Sequence, residues 1–220
     1  MKVSKIITST QKNILDIFSQ NKYLTENFIL SGGTALAGFY LPYRLSEDLD
    51  FFSLEEVNVL DVTTFLKSIK SKINYTKFDI NTSYNRNLVF LHFPSEIIKL
   101  EFTYYPFPSV EIPNYYENIK VDTVLDIAVN KLFTIYQKPR SRDFIDLYMI
   151  QKKYHYKIND LIKKAKLKFD WHVDNLKLGT QFLLCTDLLD YPNLVKPINP
   201  SLWQNHFLSE AKKLEKTIVS

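Results

Sequence analysis

The spacing of hydrophobic residues changes about halfway along the chain. Up to residue 105, short apolar runs predict strands at 28–30, 48–53, 74–81, 87–93 and 97–105. Apolar residues three or four apart predict helices between them, at 3–20 (as one helix or two), 34–41 and 60–73. Only helical patterns follow, at 122–137, 141–154, 158–169, 172–186 and 201–219. The order predicts an α/β or α+β core, with a mixed sheet and flanking helices, followed by a helical C-terminal half.

The segment 106–120 is rich in Pro, Tyr and Asn, which is typical of a connection between larger parts of a chain. We therefore expect two domains. Residues 1–110 form the strand-containing core, and residues 111–220 form a mainly helical domain that completes its cleft.

The composition narrows the class of protein. Hydrophobic residues make up 45% and charged residues 24%, which is ordinary for a globular protein. The sequence has no apolar run of about 18 residues and no apolar segment of a signal peptide near its start, so we expect no membrane association. The single cysteine, Cys185, fits a reducing cytoplasm. The four histidines are scattered, which argues against a zinc site.

Positive charge is concentrated in one part of the chain. Residues 131–168 contain 11 Lys and Arg against three Asp, a net charge of +8, so the remainder carries −4. Such a segment is either a set of solvated helix faces or a surface that binds a polyanion such as RNA.

Three of the four glycines lie at positions 32, 33 and 38, where a predicted strand passes into a helix. The backbone N–H groups at the start of that helix form an anion site, and glycine lets a phosphate approach the backbone closely. The turn Ser31-Gly32-Gly33-Thr34 is therefore a candidate site for a nucleotide phosphate. The alternative is a tight turn without a ligand.

Two aspartates follow on the next predicted strand. Asp48 and Asp50 share one face of it, with Cα atoms about 6.6 Å apart, so both carboxylates can converge on a hard cation such as Mg²⁺, or alternatively Mn²⁺. Glu101 leaves the apolar face of a later strand and is the candidate third metal ligand, or else a polar residue on an edge strand. A phosphate-binding turn followed by these acids is the arrangement of a metal-dependent nucleotidyltransferase.

Two segments resemble the AbiEii/AbiGii-type nucleotidyltransferase toxins of the DNA polymerase β-like superfamily. They are GGTALA with the following RLSEDLDFF, and the later NKLFTIYQKPRSRDFIDLYMI. The first matches the glycine turn, an Arg-x-Ser element at Arg44 and Ser46, and the metal-binding acid pair. The second matches a helix lysine, Lys131, and a basic-Asp-x-x-Asp element at Arg142, Asp143 and Asp146.

The resemblance implies roles for these residues. Lys131 and Arg142 would contact phosphate, and Arg44 and Ser46 would lie near the nucleotide or orient the aspartates. Asp143 or Asp146 would accept the proton of the attacking hydroxyl or orient the arginines. The expected catalytic residues are Asp48, Asp50, Lys131, Asp143 and Asp146.

The resemblance also implies a cytoplasmic toxin of a toxin–antitoxin or phage-defence pair, with an antitoxin from a neighbouring gene. The expected reaction transfers a nucleotide from an NTP to RNA, in particular tRNA, and the basic segment agrees with an RNA acceptor. Two alternatives are transfer to a small-molecule or protein hydroxyl, and a non-catalytic nucleotide-binding module. The presence of three acids argues against the second.

Overall fold

The computed structural model describes residues 1–219, and the side chains of residues 1–216. The chain divides into two compact units. The first contains residues 1–108 and 112–123, and the second contains residues 109–111 and 124–220. The boundary predicted at residue 110 lies close to residue 108, where the chain first leaves the first unit, but residues 112–123 belong to the first unit again.

The first unit is built on a seven-stranded mixed sheet, in the order β3-β4-β5-β2-β1-β7-β6. Its strands are β1 (Ile29–Ser31), β2 (Asp48–Ser53), β3 (Lys77–Ser83), β4 (Arg86–His92), β5 (Ile97–Tyr104), β6 (Asn114–Tyr116) and β7 (Ile119–Val121). β2 runs parallel to β5 and β1 parallel to β7, while the other neighbours are antiparallel. The predicted mixed α/β fold is confirmed.

The helices of the first unit are α1 (Ser9–Phe18), α2 (Lys22–Asn27), α3 (Gly32–Phe39) and α4 (Val59–Ile73). One face of the sheet forms the core, where Phe51 of β2 stacks on Phe18 of α1 at 4.2 Å and lies 5.3 Å from Phe102 of β5. Alternation in β2 and β5 buries these rings and turns the polar residues between them to the opposite face. That opposite face carries the acids.

The second unit is helical. It contains α5 (Val124–Gln137), α6 (Ser141–Tyr154), α7 (Ile158–Phe169), α8 (Asn175–Leu183), a 3-10 turn (Leu184–Thr186) and α9 (Pro200–Val219). Its core is aromatic, with Phe144, Phe182, Trp203 and Phe207 fully buried. No helix among residues 1–219 is both long and apolar enough to cross a bilayer.

The predicted elements differ from the structure mainly where pairing with a distant strand determines whether a strand forms and where it begins. The segment 106–120, which was expected to be a connection, contains β6 and most of β7, because pairing of Ile29 and Leu30 with Lys120 and Val121 adds this hairpin to the sheet. The strand predicted at 74–81 lies at Lys77–Ser83, in register with β4. α2 was not predicted.

Candidate active site

The strand-to-helix turn joins β1 to α3 without an intervening loop. Gly32, the first residue of α3, has a φ of +70°, which favours glycine. The two flanking hydroxyls are used inside the protein. Ser31 Oγ is buried and donates to Asp122 Oδ2 at 2.5 Å, and Thr34 Oγ1 donates to the carbonyl of Asp48. A phosphate at this turn would therefore meet backbone N–H groups rather than these side chains.

Each of the two glycines makes room for one functional side chain. A Cβ at Gly32 would overlap Oδ2 of Asp50 and lie 3.1 Å from its Cγ. A Cβ at Gly33 would overlap Nη2 of Arg44 and lie 3.0 Å from its Cζ. The missing side chains of these glycines thus give space to an aspartate and an arginine of the protein itself. The sequence pattern did not reveal this role.

The two aspartates of β2 lie on the face of the sheet away from the core. Both are partly exposed, while Leu49 between them is buried. Asp48 Oδ2 accepts a hydrogen bond from Lys99 Nζ at 2.6 Å. Lys99 stands opposite Asp48 in the register with β5, so the sheet itself supplies this cation.

Glu101 stands opposite Asp50 in the same register, which places it beside the acid pair. Its side chain is nearly buried, and both of its oxygens are bound by Arg86, at 2.6 Å from Nε and 2.7 Å from Nη2. Burial raises the pKa of Glu101, but Arg86, together with Thr103 and Lys99, outweighs this effect and the net pKa is lowered. Glu101 is therefore an ionised carboxylate already paired with a cation.

The residues of this face fit a Mg²⁺ ion held by two carboxylates. Asp48 and Asp50 present oxygens on one face, and Mg²⁺ in phosphoryl-transfer sites is held by one or two carboxylates together with substrate phosphates and water. Among the residues whose side chains the structure describes, no group of three or more His, Cys, Asp or Glu is arranged to hold a metal ion. The assignment of Asp48, Asp50 and Glu101 as ligands stays a prediction.

The segment that leads into β2 is held in place by Arg44 and Gln11. Arg44 is buried, and its Nη1 donates to the carbonyl of Leu45 at 2.8 Å. Gln11 of α1 is also buried, and its Nε2 lies 2.9 Å from the carbonyl oxygen of Ser46 and 3.2 Å from that of Glu47. Sequence reasoning missed Gln11, because its place in the chain indicates only the capping box that it forms with Thr8.

In the second unit, Lys131 lies between two aspartates of α6. Its Nζ is 2.7 Å from Oδ1 of Asp143 and 2.8 Å from Oδ2 of Asp146, and Arg140 Nε adds a contact of 2.8 Å to Asp143. Both aspartates are fully buried, and their spacing of three puts them on one helix face. The family signature thus forms a buried charge cluster.

The cluster keeps Asp143 ionised. Burial by itself would raise the pKa of Asp143, but the charges of Lys131 and Arg140 outweigh burial, and the net pKa is lowered. A lowered pKa suits a carboxylate that orients cations better than one that takes up a proton near neutral pH. The basic residue of the motif, Arg142, is exposed.

The basic segment is not uniformly exposed. Lys152, Lys153, Lys163 and Lys166 are exposed and Lys164 is partly so, but Lys168 is buried, with its Nζ 2.8 Å from Oδ1 of Asp126. Both interpretations of the basic segment place its lysines at the surface, and for Lys168 this was wrong. The helical period of α7 turns Lys168 inward, where Asp126 also accepts the N–H groups of Val110 and Glu111.

Comparison with known proteins agrees with this architecture. Residues 15–217 match the family described as nucleotidyl transferase AbiEii toxin of a type IV toxin–antitoxin system. An uncharacterized protein of Aquifex aeolicus is 29% identical over 150 residues, 66% of this chain and 68% of that protein.

Two crystal structures from Helicobacter pylori share the fold. JHP933 has a TM-score of 0.62 at 24% identity, covering 98% of this chain and 94% of its own. A protein described as a candidate nucleotidyltransferase has a TM-score of 0.61 at 24% identity, covering 98% and 97%. Because the family match spans nearly the whole sequence, the chain belongs to the AbiEii nucleotidyltransferase toxin family.

Proposed function

We propose that this nucleotidyltransferase uses Mg²⁺ held by Asp48 and Asp50 to transfer a nucleotidyl group from an NTP to RNA, and to tRNA in particular. The observation that carries the proposal is the placement of both aspartates on one sheet face, with Asp50 packed over Gly32 at the start of α3. A helix start can bind the phosphate end of a nucleotide, and the two carboxylates would hold a cation that supplies positive charge there.

The reaction needs few protein groups. An RNA hydroxyl attacks the α-phosphorus, the bond to pyrophosphate breaks, and the hydroxyl proton passes to a carboxylate of the site and on to water. When bound, Mg²⁺ neutralises charge on the phosphate oxygens. The backbone N–H groups at Gly32 and Gly33 would orient the triphosphate, and Arg44 over Gly33 would fix the segment that presents Asp48.

The choice of RNA as acceptor is supported by the exposed lysines of α6 and α7, because lysines that neutralise phosphates drive binding to nucleic acid. The reaction would take place in the cytoplasm, where NTPs and tRNA occur together. A partner antitoxin from a neighbouring gene is proposed from the type IV toxin–antitoxin description of the family.

The test is to incubate the pure protein with Mg²⁺, each labelled NTP in turn, and total tRNA. We expect labelled RNA with at least one NTP, loss of labelling with EDTA, and no labelling by D48N or D50N, with both variants folded by circular dichroism. Label on a small molecule or on protein, and none on RNA, would show that the acceptor is a small-molecule or protein hydroxyl. Full activity of D48N and D50N would reject the proposed metal site.

A further inference from the structure

Both carboxylate oxygens of Glu101 already accept hydrogen bonds from the protein. Oε1 accepts from Arg86 Nε at 2.6 Å and from Thr103 Oγ1 at 3.0 Å, and Oε2 accepts from Arg86 Nη2 at 2.7 Å. Two parallel bonds between a guanidinium and a carboxylate are strong and fix the planes of both groups. A metal ion at Glu101 would have to compete with Arg86 for these oxygens.

The other member of the pair, Arg86, combines a fixed position with exposure. It is the first residue of β4, directly after a turn in which Tyr84 and Asn85 have φ of 48° and 57°. Its side chain is 54% exposed although Glu101 holds one edge. Its hydrogen bonds to Glu101 use Nε and Nη2, and more than half of the side chain remains accessible to solvent.

Arg86 also lies in the field of the aspartate pair. The hydrogen bonds to Glu101 raise its pKa most, and Asp50 and Asp48 raise it further through their charge. The strand order explains this proximity, because β5 lies between β4 and β2. Glu101 stands opposite Asp50, and Arg86 stands opposite Thr103, two residues along β5 from Glu101, so the three charged residues share one face of neighbouring strands.

We infer that Glu101 is a positioning residue rather than a metal ligand, and that it holds Arg86 beside the aspartate pair so that the exposed guanidinium edge binds a phosphate oxygen of the triphosphate. The inference rests on the proposed function and adds a nucleotide-binding residue to it. Arginine suits the task, because its planar fork binds a carboxylate on one edge and a phosphate on another, which lysine cannot do.

The experiment separates metal binding from phosphate binding. Mn²⁺ affinity is measured by electron paramagnetic resonance without nucleotide, and affinity for inorganic triphosphate by calorimetry with Mg²⁺, for wild type, E101Q, R86M and D50N. We expect E101Q and R86M each to weaken triphosphate binding about tenfold, roughly the effect of one charge-assisted hydrogen bond. Their Mn²⁺ affinity should stay within about twofold of wild type, while D50N loses Mn²⁺ binding.

The double variant R86M/E101Q gives a second readout. If Glu101 acts only through Arg86, the double variant binds triphosphate no more weakly than R86M alone, because the two residues form one unit. R86K, which keeps the charge without the fork, should fall between wild type and R86M. Melting temperatures show whether each variant is folded. If R86M is not folded, R86K takes its place in the measurement of triphosphate affinity.

Two results would overturn the inference. Loss of Mn²⁺ affinity in E101Q to the extent seen in D50N would make Glu101 a metal ligand. Unchanged triphosphate affinity in folded R86M would make the pair a structural contact of the sheet. A wild-type protein that binds triphosphate through Arg86 but labels no tRNA would reject the acceptor and leave this inference standing.

Discussion

At the residue scale, the glycines of the turn are explained by the side chains that lie against them. Gly33 leaves space for the guanidinium of Arg44, and Gly32 for the carboxylate of Asp50. Gly38, on the same helix, leaves space for Ile7, whose Cδ1 would lie 2.7 Å from an added Cβ. α3 therefore contains two glycines that support the site, and one of them, Gly33, can be compared with Gly38, which supports only packing.

This pair of glycines gives a matched prediction. Both G33A and G38A should lose about 1–3 kcal/mol of stability by overpacking. G33A should also displace Arg44 and reduce nucleotide transfer at least tenfold, whereas G38A should change transfer little. Transfer rates and urea unfolding of both variants provide the measurement. Equal activity losses in the two variants would show that Gly33 matters only for packing.

The buried ion pair between Asp143 and Lys131 predicts a large loss of stability in D143N. Removing one partner leaves a buried charge poorly compensated, so we expect a loss of about 3–5 kcal/mol in the free energy of unfolding at pH 7. D160N, an exposed aspartate in the first turn of α7, is the control and should change stability by less than about 0.5 kcal/mol.

The pH dependence of this loss follows from the lowered pKa of Asp143. The stability that ionised Asp143 contributes is fully present above its ordinary pKa of 3.8. It disappears as the pH falls through the lowered pKa of Asp143 in the folded state. The difference between wild type and D143N in urea unfolding should therefore narrow below about pH 4. A constant difference between pH 7 and pH 3 would contradict the ion pair as its source.

At the element scale, α1 links helix capping to the site. Gln11 accepts the N–H of Thr8 through Oε1 and donates through Nε2 to the carbonyl oxygens of Ser46 and Glu47, just before β2. One buried side chain thus closes the capping box of α1 and anchors the segment that presents Asp48.

Thr8 and Gln11 share the cap, but only Gln11 reaches the site, so their variants can be compared. T8A should cost about 1 kcal/mol of stability and leave the turnover number unchanged. Q11L should cost roughly 1–3 kcal/mol, because two carbonyls lose their donor, and should also lower the turnover number several-fold with little change in KM. If Q11L and T8A had the same turnover number, the anchoring role would be refuted.

At the scale of the whole molecule, charge is divided between the chain segments as the sequence indicates, but burial decides which charges a partner can meet. Lys152, Lys153, Lys163, Lys164 and Lys166 reach solvent, whereas Lys131 and Lys168 are buried in ion pairs with aspartates. The net charge of +8 in residues 131–168 therefore includes cations that fold the second unit and do not face a polyanion.

Neutralising the five solvent-accessible lysines as glutamine should weaken tRNA binding at least tenfold and flatten its dependence on salt, because fewer counterions are released. Affinity for inorganic triphosphate should not change. The control is the same replacement at five exposed lysines of the first unit, Lys22, Lys67, Lys70, Lys72 and Lys77. Equal effects of the two sets on tRNA affinity and on its salt dependence would remove the support that these lysines give to an RNA acceptor.

The sequence by itself determined the features that depend on local spacing. Alternation in 48–53 predicts that Asp48 and Asp50 share a face, the 3.6-residue period predicts the helices from residue 122 onward, and a spacing of three puts Asp143 and Asp146 on one side of α6. These follow because the side-chain direction within one strand or helix is fixed by its geometry. The family motifs added Lys131 and Arg44.

Only the tertiary structure decided which charged groups meet. The pairing of Glu101 with Arg86, of Asp48 with Lys99, and of Lys168 with Asp126 depends on strand register and helix packing across 15 to 51 positions of chain. The hairpin β6–β7 likewise forms because β1 offers an edge to β7. Contacts between distant segments are set by the packing of whole elements, and periodicity within one element carries no information about them.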